Sequence, residues 1–269
     1  MDESRVPPGV DPTVPSVARI YDYYLGGKDN FAVDREAAKK IIEILPNVGE
    51  IARENRYFLE RAVTYLSEQG VRQFLDIGAG LPTQRNVHQV AQELAPGSRV
   101  VYVDNDPIVL AHARAILAEN EDVIAVEGDM LRPREIVEHP DVRAHLDFSQ
   151  PVGLLLLAVL HFVPDDDQAV SIVRTLSEPL VPDSHLVISH ASIGPVSEED
   201  DREAQAIYSR TSAPGVASRT PEQVEVFFAG LDLAEPGVVP LQDWRPTVRL
   251  DIAAKPGEAG AVGGVARIP

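Results

Sequence analysis

From residue 71 onward the chain alternates short, continuous apolar runs with amphipathic stretches. This rhythm constrains the fold more than any other feature. Residues 73–77, 99–104, 123–126, 153–158 and 185–189 read as strands, and 82–94, 107–119 and 165–180 carry helical spacing. A strand apolar on nearly every residue is buried on both faces. Helices between such strands cover the two faces of a mostly parallel sheet, so the expected class is α/β.

The preceding segment has a different rhythm. Residues 1–15 carry four prolines and read as a flexible arm. Val17, Ile20, Tyr21, Tyr24 and Leu25 recur at helical spacing until Gly26-Gly27 stops them. A second helix fits 34–45, ended by Pro46-Asn47. A third fits 48–69, with Ile51, Phe58, Leu59, Ala62, Val63 and Leu66 facing inward and Gly70 at its C′ position. The expected organisation is an arm (1–15), a helical cap (16–70) and an α/β core (71–269), with cap and core forming one structural domain. After the fifth strand, 195–218 reads as an acidic excursion with a short helix near 202–210. Thr220 reads as the N-cap of a helix over 221–230 with Pro221 at N1. Residues 231–240, and either 248–254 or 261–268, are the last strand candidates. By composition alone, 256–264 reads as a tail.

Charge excludes some partners. Lys and Arg number 24 against 42 Asp and Glu, a formal net charge of −18 over 269 residues. Nucleic acid requires a basic surface to displace counterions, and an anionic membrane repels this balance equally. Hydrophobic residues at 44% and charged residues at 25% are ordinary for a globular chain, so the acidity does not imply disorder. There is no cysteine, hence no disulfide and no thiolate metal site. The first residues lack the basic and apolar blocks of a secretory signal, and the apolar stretch 152–163 is too short to span a bilayer. The expectation is a soluble cytoplasmic protein.

The chemistry concentrates at strand ends. In FLDIGAGLPT (74–83) a buried strand passes through Asp76 into the turn Gly78-Ala79-Gly80, with a helix expected to open at Pro82. Glycines there permit close approach of a nucleotide-like ligand, and a helix N-terminus offers free N–H groups. The third glycine of the dinucleotide pattern would fall at Thr83 and is missing. Asp76 would repel a pyrophosphate but suits a phosphate-free ligand bearing an ammonium group, such as S-adenosylmethionine. A strand–helix turn without a ligand is the other reading of this segment taken alone. The next strand ends in Asp104, placed to accept ribose hydroxyls, followed by Asn105 and by Asp106 as a helix N-cap. Asp129, in Glu127-Gly-Asp-Met130, is placed to accept an adenine amino group while Met130 packs on the ring. In isolation those four residues also read as an ordinary acidic loop.

The order DIGAG (76–80), VDND (103–106), EGDM (127–130) and LLLLAVLHF (154–162) resembles a class I S-adenosylmethionine-dependent methyltransferase. VPSVARIYDYYLGGKDNF (14–31), with Asn55-Arg56 and GLPT (80–83), resembles one mainly actinobacterial family of unassigned substrates. The likeness extends through RTPEQVEVFFAGLDL (219–233), WRP (244–246) and GGVAR (263–267). It implies a Rossmann-like, seven-stranded, mostly parallel sheet with helices on both faces and an N-terminal helical cap. It also implies that the Gly-rich end is the last strand and that 248–260 is a variable insertion. The cofactor site it implies comprises Asp76, Gly78, Ala79, Gly80, Asp104, Asn105, Asp129, Met130 and Ala158. One departure is Pro151-Val-Gly where a fourth strand beginning with Asp would be expected.

The implied activity is methyl transfer to a small-molecule acceptor. An S-adenosylmethionine-binding regulator without turnover and a nicotinamide-dependent oxidoreductase remain the alternatives. His161 is the candidate general base, or else a packed histidine at a strand–helix junction. Tyr21, Tyr24 and Asn30, with Lys28 and Asp29, are expected to line the acceptor pocket as a lid hinged at Gly26-Gly27, or else to staple the first helix to the sheet. Asp165-Asp-Asp167 complements a helix dipole rather than forming a metal site. His190 reads as structural or pocket-lining, and EEDDRE (198–203) as a solvated face.

Overall fold

The computed structural model describes residues 10–82, 85–117, 120–194, 197–246 and 260–269. Most of the arm (1–9), Thr83, Glu119, the strand alternative at 248–254 and all but the last residue of the insertion at 248–260 lie outside them. The chain begins with α1 (Val17–Tyr24), α2 (Ala32–Ile44) and α3 (Val48–Glu68). There follow β1 (Gln73–Ile77), α4 (Val87–Leu94), β2 (Arg99–Asp104), α5 (Pro107–Leu117) and β3 (Val123–Glu127). Two short helices, α6 (Pro133–Val137) and α7 (Pro140–His145), lead to β4 (Gly153–Leu157), α8 (Asp166–Ser177) and β5 (His185–Ser192). The last third holds α9 (Glu198–Tyr208), α10 (Pro221–Glu225), β6 (Asp232–Leu233), β7 (Val239–Pro240) and β8 (Gly260–Arg267).

The strands form one sheet in the order β3-β2-β1-β4-β5-β8-β6, with β7 also on β8. The first five strands pair in parallel, and β8 runs antiparallel to β5. The two-residue strands β6 and β7 pair with β8 at opposite ends of its length, so eight strands fill seven positions. The Gly-rich terminus is therefore a sheet strand and not a tail.

Strand alternation sorts side chains into two layers. Leu75, Ile77, Val101, Val103, Leu154 and Leu156 pack on one face with α8 residues such as Ile172 and Leu176. Phe74, Val100, Tyr102, Leu155 and Val187 pack on the other against Phe58, Leu59, Ala62 and Leu66 of α3. Trp244, fully buried, sits edge-on to Phe58 with ring centroids 5.3 Å apart.

Several boundaries differ from the sequence expectation. Helix α4 starts at Val87 and not at Pro82, because Asn86 and Gln89 form a capping box there. Helix α9 starts at Glu198, four residues earlier than expected. Ser197 caps it, and acids at 198–201 occupy the first turn, where the helix dipole favours them. The helix expected over 221–230 is α10 followed by a 3-10 turn at Val226–Phe228, with Thr220 as its N-cap. No helix among the described residues is long and apolar enough to cross a membrane.

Candidate cofactor and acceptor site

The strand order reverses between β1 and β4: the chain builds outward through β2 and β3, then crosses to the other side of β1. A crevice forms beyond the carboxyl ends of strands at such a point. Here it deepens into a cavity of about 280 Å³, whose floor is the ends of β1, β2, β3 and β4 and whose roof is α1, α2 and α3. All nine residues named for the cofactor line it, as do His161, Tyr21 and Tyr24; Asn30 does not.

The β1 turn is held by its own backbone. The Gly78 and Ala79 N–H groups donate to the Val103 carbonyl at 2.8 and 3.2 Å. Gly78 has a φ of +70°, and a Cβ there would lie 2.4 Å from Val159 Cγ1. Its missing side chain thus makes room for the loop after β4. At Gly80 a Cβ would meet nothing within 4 Å. The free N–H groups of a helix opening at Pro82 are not part of this site, because α4 begins later.

Three carboxylates gather on the floor. Asp76 is buried, and desolvation, opposed by the Arg56 guanidinium and assisted by Asp104, raises its pKa to about 7. Burial raises Asp104 to about 6, although its two oxygens accept the Gly80 and Asp106 N–H groups at 2.9 Å each. Asp129 accepts the Leu131 N–H at 2.9 Å, and Met130 packs against the core layer beneath it. The fit to S-adenosylmethionine is chemical: carboxylates suited to a cation line the floor, no lysine lines it among the described residues, and the space over Gly80 is open.

The roof is tied to this floor. Asp34, fully buried, accepts from Arg19 Nε, the Ser16 N–H and the Phe31 N–H at 2.8, 2.9 and 2.8 Å. The Ser16 hydroxyl donates to Asp106, the N-cap of α5. The Gly26-Gly27 turn is pinned rather than hinged. Asp22 accepts from the Asp29 N–H and Asn30 Nδ2 at 2.9 and 2.8 Å, and a Cβ on Gly27 would fall 1.9 Å from Asp22 Oδ1. Asn30 is therefore a turn-forming residue, and its expected place in the pocket is corrected.

Sequence reasoning did not assign a role to the polar chain across the roof. The Tyr21 hydroxyl donates to the Ala52 carbonyl and accepts from Asn55 Nδ2, both at 3.0 Å. Asn55 Oδ1 accepts the Ser189 hydroxyl at 2.5 Å, and Ser189 Oγ accepts the Ala158 N–H at 2.9 Å. Ala158 takes a φ of +54°, strained for a residue with a Cβ. The available signal was Asn55 itself, a polar residue in register with Ala52, Leu59 and Ala62 on the apolar stripe of α3.

His161 follows β4 in a 3-10 turn, half-buried, with its Nδ1 enclosed and unpartnered among the described residues. Burial, with His190 and Arg219 adding to it, holds its pKa well below the ordinary value, so the ring is neutral at pH 7. His190, which also lines the cavity, accepts from Arg219 Nη1 at 2.9 Å through Nε2. Its Nδ1–H donates to the Ala191 carbonyl at 2.7 Å, and burial lowers it to about 4. Arg219 also donates to the Leu160 and Val163 carbonyls at 3.2 and 2.8 Å and pairs with Asp166 at 2.8 Å, fixing the turn that carries His161. Asp165 caps α8, accepting the Gln168 N–H at 2.7 Å. No group of three or more metal-ligating side chains converges among the described residues.

Fold and site together define a Rossmann-like α/β domain with a nucleoside-type crevice suited to a cation. The family model for S-adenosyl methyltransferases matches residues 3–269, and the chain belongs to that family. It is an S-adenosylmethionine-dependent methyltransferase. Two solved structures are similar over nearly their whole length. One, from Thermobifida fusca YX, carries a provisional methyltransferase name; identity is 40%, coverage 97% of each chain and TM-score 0.88. The other, a DUF574 family protein from Streptomyces avermitilis MA-4680, is 42% identical, covering 96% of this chain and 99% of its own, with TM-score 0.87. No curated protein matches the chain.

Proposed function

We propose that this methyltransferase acts on a small molecule enclosed between the strand ends and the three N-terminal helices. The observation that carries this reading is the single cavity in which the carboxylate floor continues into a space under α1, α2 and α3. In the proposed arrangement Asp76 faces the ammonium group of the cofactor, Asp104 the ribose and Asp129 the adenine amino group. Met130 packs beside the base, and the backbone of Gly78, Ala79, Gly80, Asn105 and Ala158 shapes the crevice. When bound, the cofactor supplies an electrophilic methyl group on a sulfonium. The chain's contribution is to align the acceptor and exclude water. His161, neutral and in the turn after β4, orients the acceptor and takes up its proton. Tyr21 and Asn55 hold the roof in register with Ala158 through Ser189.

The VPSVARIYDYYLGGKDNF segment, in this reading, closes the pocket and ties it to the cofactor loop through Ser16 and Asp106. The net charge of −18 supports the exclusion of nucleic acid as acceptor. The test is formation of S-adenosylhomocysteine with a small-molecule panel set beside protein and nucleic acid substrates. Turnover confined to the macromolecules would overturn the small-molecule reading.

A further inference from the structure

The cavity has two chemically distinct halves. Among the described residues its charged lining side chains are Asp76, Asp104, Asp106 and Asp129, on the floor or its rim, and Arg56, which reaches from α3 toward Asp76. Arg56 is held there by donating to the Arg85 carbonyl and Asn86 Oδ1 at 3.2 and 3.1 Å. The distal half is walled by Ile41, Val48, Phe162, Ala204 and Val216, which pack in one cluster with Tyr24 and Tyr208. No charged side chain lines this half among the described residues. An anion placed there would lose water without gaining a cation.

Within that apolar wall the Tyr24 and Tyr208 hydroxyls lie 3.5 Å apart. A good O–H···O bond spans about 2.5–3.0 Å, so the two phenols satisfy each other poorly. Neither hydroxyl has another hydrogen-bond partner among the described residues. Both side chains are buried, at 8% and 9% exposure, and a buried phenol ordinarily finds a partner. An atom set to one side of the pair would lie about 2.8 Å from both oxygens. Burial raises both phenols, so both keep their protons and remain donors. Phe162, 5.3 Å from the Tyr208 ring and 4.2 Å from the His161 ring, continues the aromatic wall back toward the strand ends.

We infer that the distal chamber receives an uncharged, largely apolar acceptor, held through one oxygen or nitrogen by the Tyr24 and Tyr208 hydroxyls. This rests on the small-molecule methyltransferase reading and names its substrate class. Tyr208 comes from α9, so the acidic excursion after β5 carries a specificity-determining residue on its inner face.

The test is calorimetry at pH 7.5 on the full chain loaded with S-adenosylhomocysteine, titrated with 2-naphthol and with 2-naphthoate. The naphthol is expected to bind and the carboxylate to bind at least about tenfold more weakly. Tyr24→Phe and Tyr208→Phe are each expected to weaken naphthol about five- to tenfold, the worth of one hydrogen bond, with S-adenosylhomocysteine affinity unchanged. Naphthoate binding as tightly as naphthol, naphthol failing to bind the loaded protein, or Phe variants indistinguishable from wild type would each overturn the inference. So would loss of S-adenosylhomocysteine binding in the variants, which would assign the tyrosines to the cofactor. Failure of the wild-type protein itself to bind S-adenosylhomocysteine would instead count against the methyltransferase reading.

Discussion

At the scale of single residues, burial decides the chemistry of the floor. Asp76 is raised to about 7, so without a ligand its proton stays on until near neutrality. The ligand-free protein loses stability from this group as pH climbs from the ordinary carboxylate range to about 7, since the unfolded chain ionises first. A cation facing Asp76 favours the carboxylate, so binding below pH 7 must expel a proton. Cofactor affinity should therefore rise between about pH 5.5 and 7.5, by up to about tenfold per unit for each proton released. Titrations across that range should show the rise, and Asp76→Asn should flatten most of it. The same burial argument applies to His161 with the opposite sign, because desolvation favours the neutral ring. His161→Ala should lower kcat while leaving the Kd for S-adenosylhomocysteine nearly unchanged; equal kcat values would remove it from the mechanism.

At the scale of elements, buried polar links, alongside apolar packing, join the N-terminal helices to one another and, through Asn55 and Ser189, to the sheet. Arg19 and Asp34 are 4% and 0% exposed, and the guanidinium also lies 5.1 Å over the Phe31 ring. Arg19→Met would leave the Asp34 charge buried with only two backbone donors. Removing one partner of such a pair costs about 3–5 kcal/mol. Urea denaturation should show a loss of that size, with weaker cofactor binding because Ser16 and Arg19 also contact Asp106. Helix α3 joins the layers differently. Its stripe of Phe58, Leu59, Ala62 and Leu66 covers the sheet, while Ala52, Asn55 and Arg56, toward its N-terminus, line the cavity. One helix thus sets both the core packing and the pocket roof.

At the scale of the whole molecule, the site is assembled from residues as distant as Tyr21 and Ala261, so cofactor binding should stabilise the fold as a unit. Trp244 is the single tryptophan and is buried between α3 and the C-terminal strands, which makes its fluorescence a reporter of global unfolding. At a hundredfold excess over Kd, S-adenosylhomocysteine should add about 2.7 kcal/mol, or roughly 5–10 °C in Tm. An unshifted Trp244 transition under those conditions would argue against cofactor binding by the native fold. The sequence by itself determined the class of fold, because β1, β2 and β4 carry apolar residues on both of their faces and only a sheet covered on both sides buries them. It also marked the cavity floor, since Asp76, Asp104 and Asp129 lie at or just past the carboxyl ends of successive strands. Neighbours in the chain decide such features. Only the tertiary structure decided that Gly78 makes room for Val159, that Asn30 serves the Asp22 turn, and that Ser189, Asn55 and Tyr21 form one polar chain. It alone brought Tyr208 within 3.5 Å of Tyr24, a pair 184 positions apart. Hydrophobic periodicity records which face of an element is buried but not what that face meets, and the acceptor chamber consists entirely of such meetings.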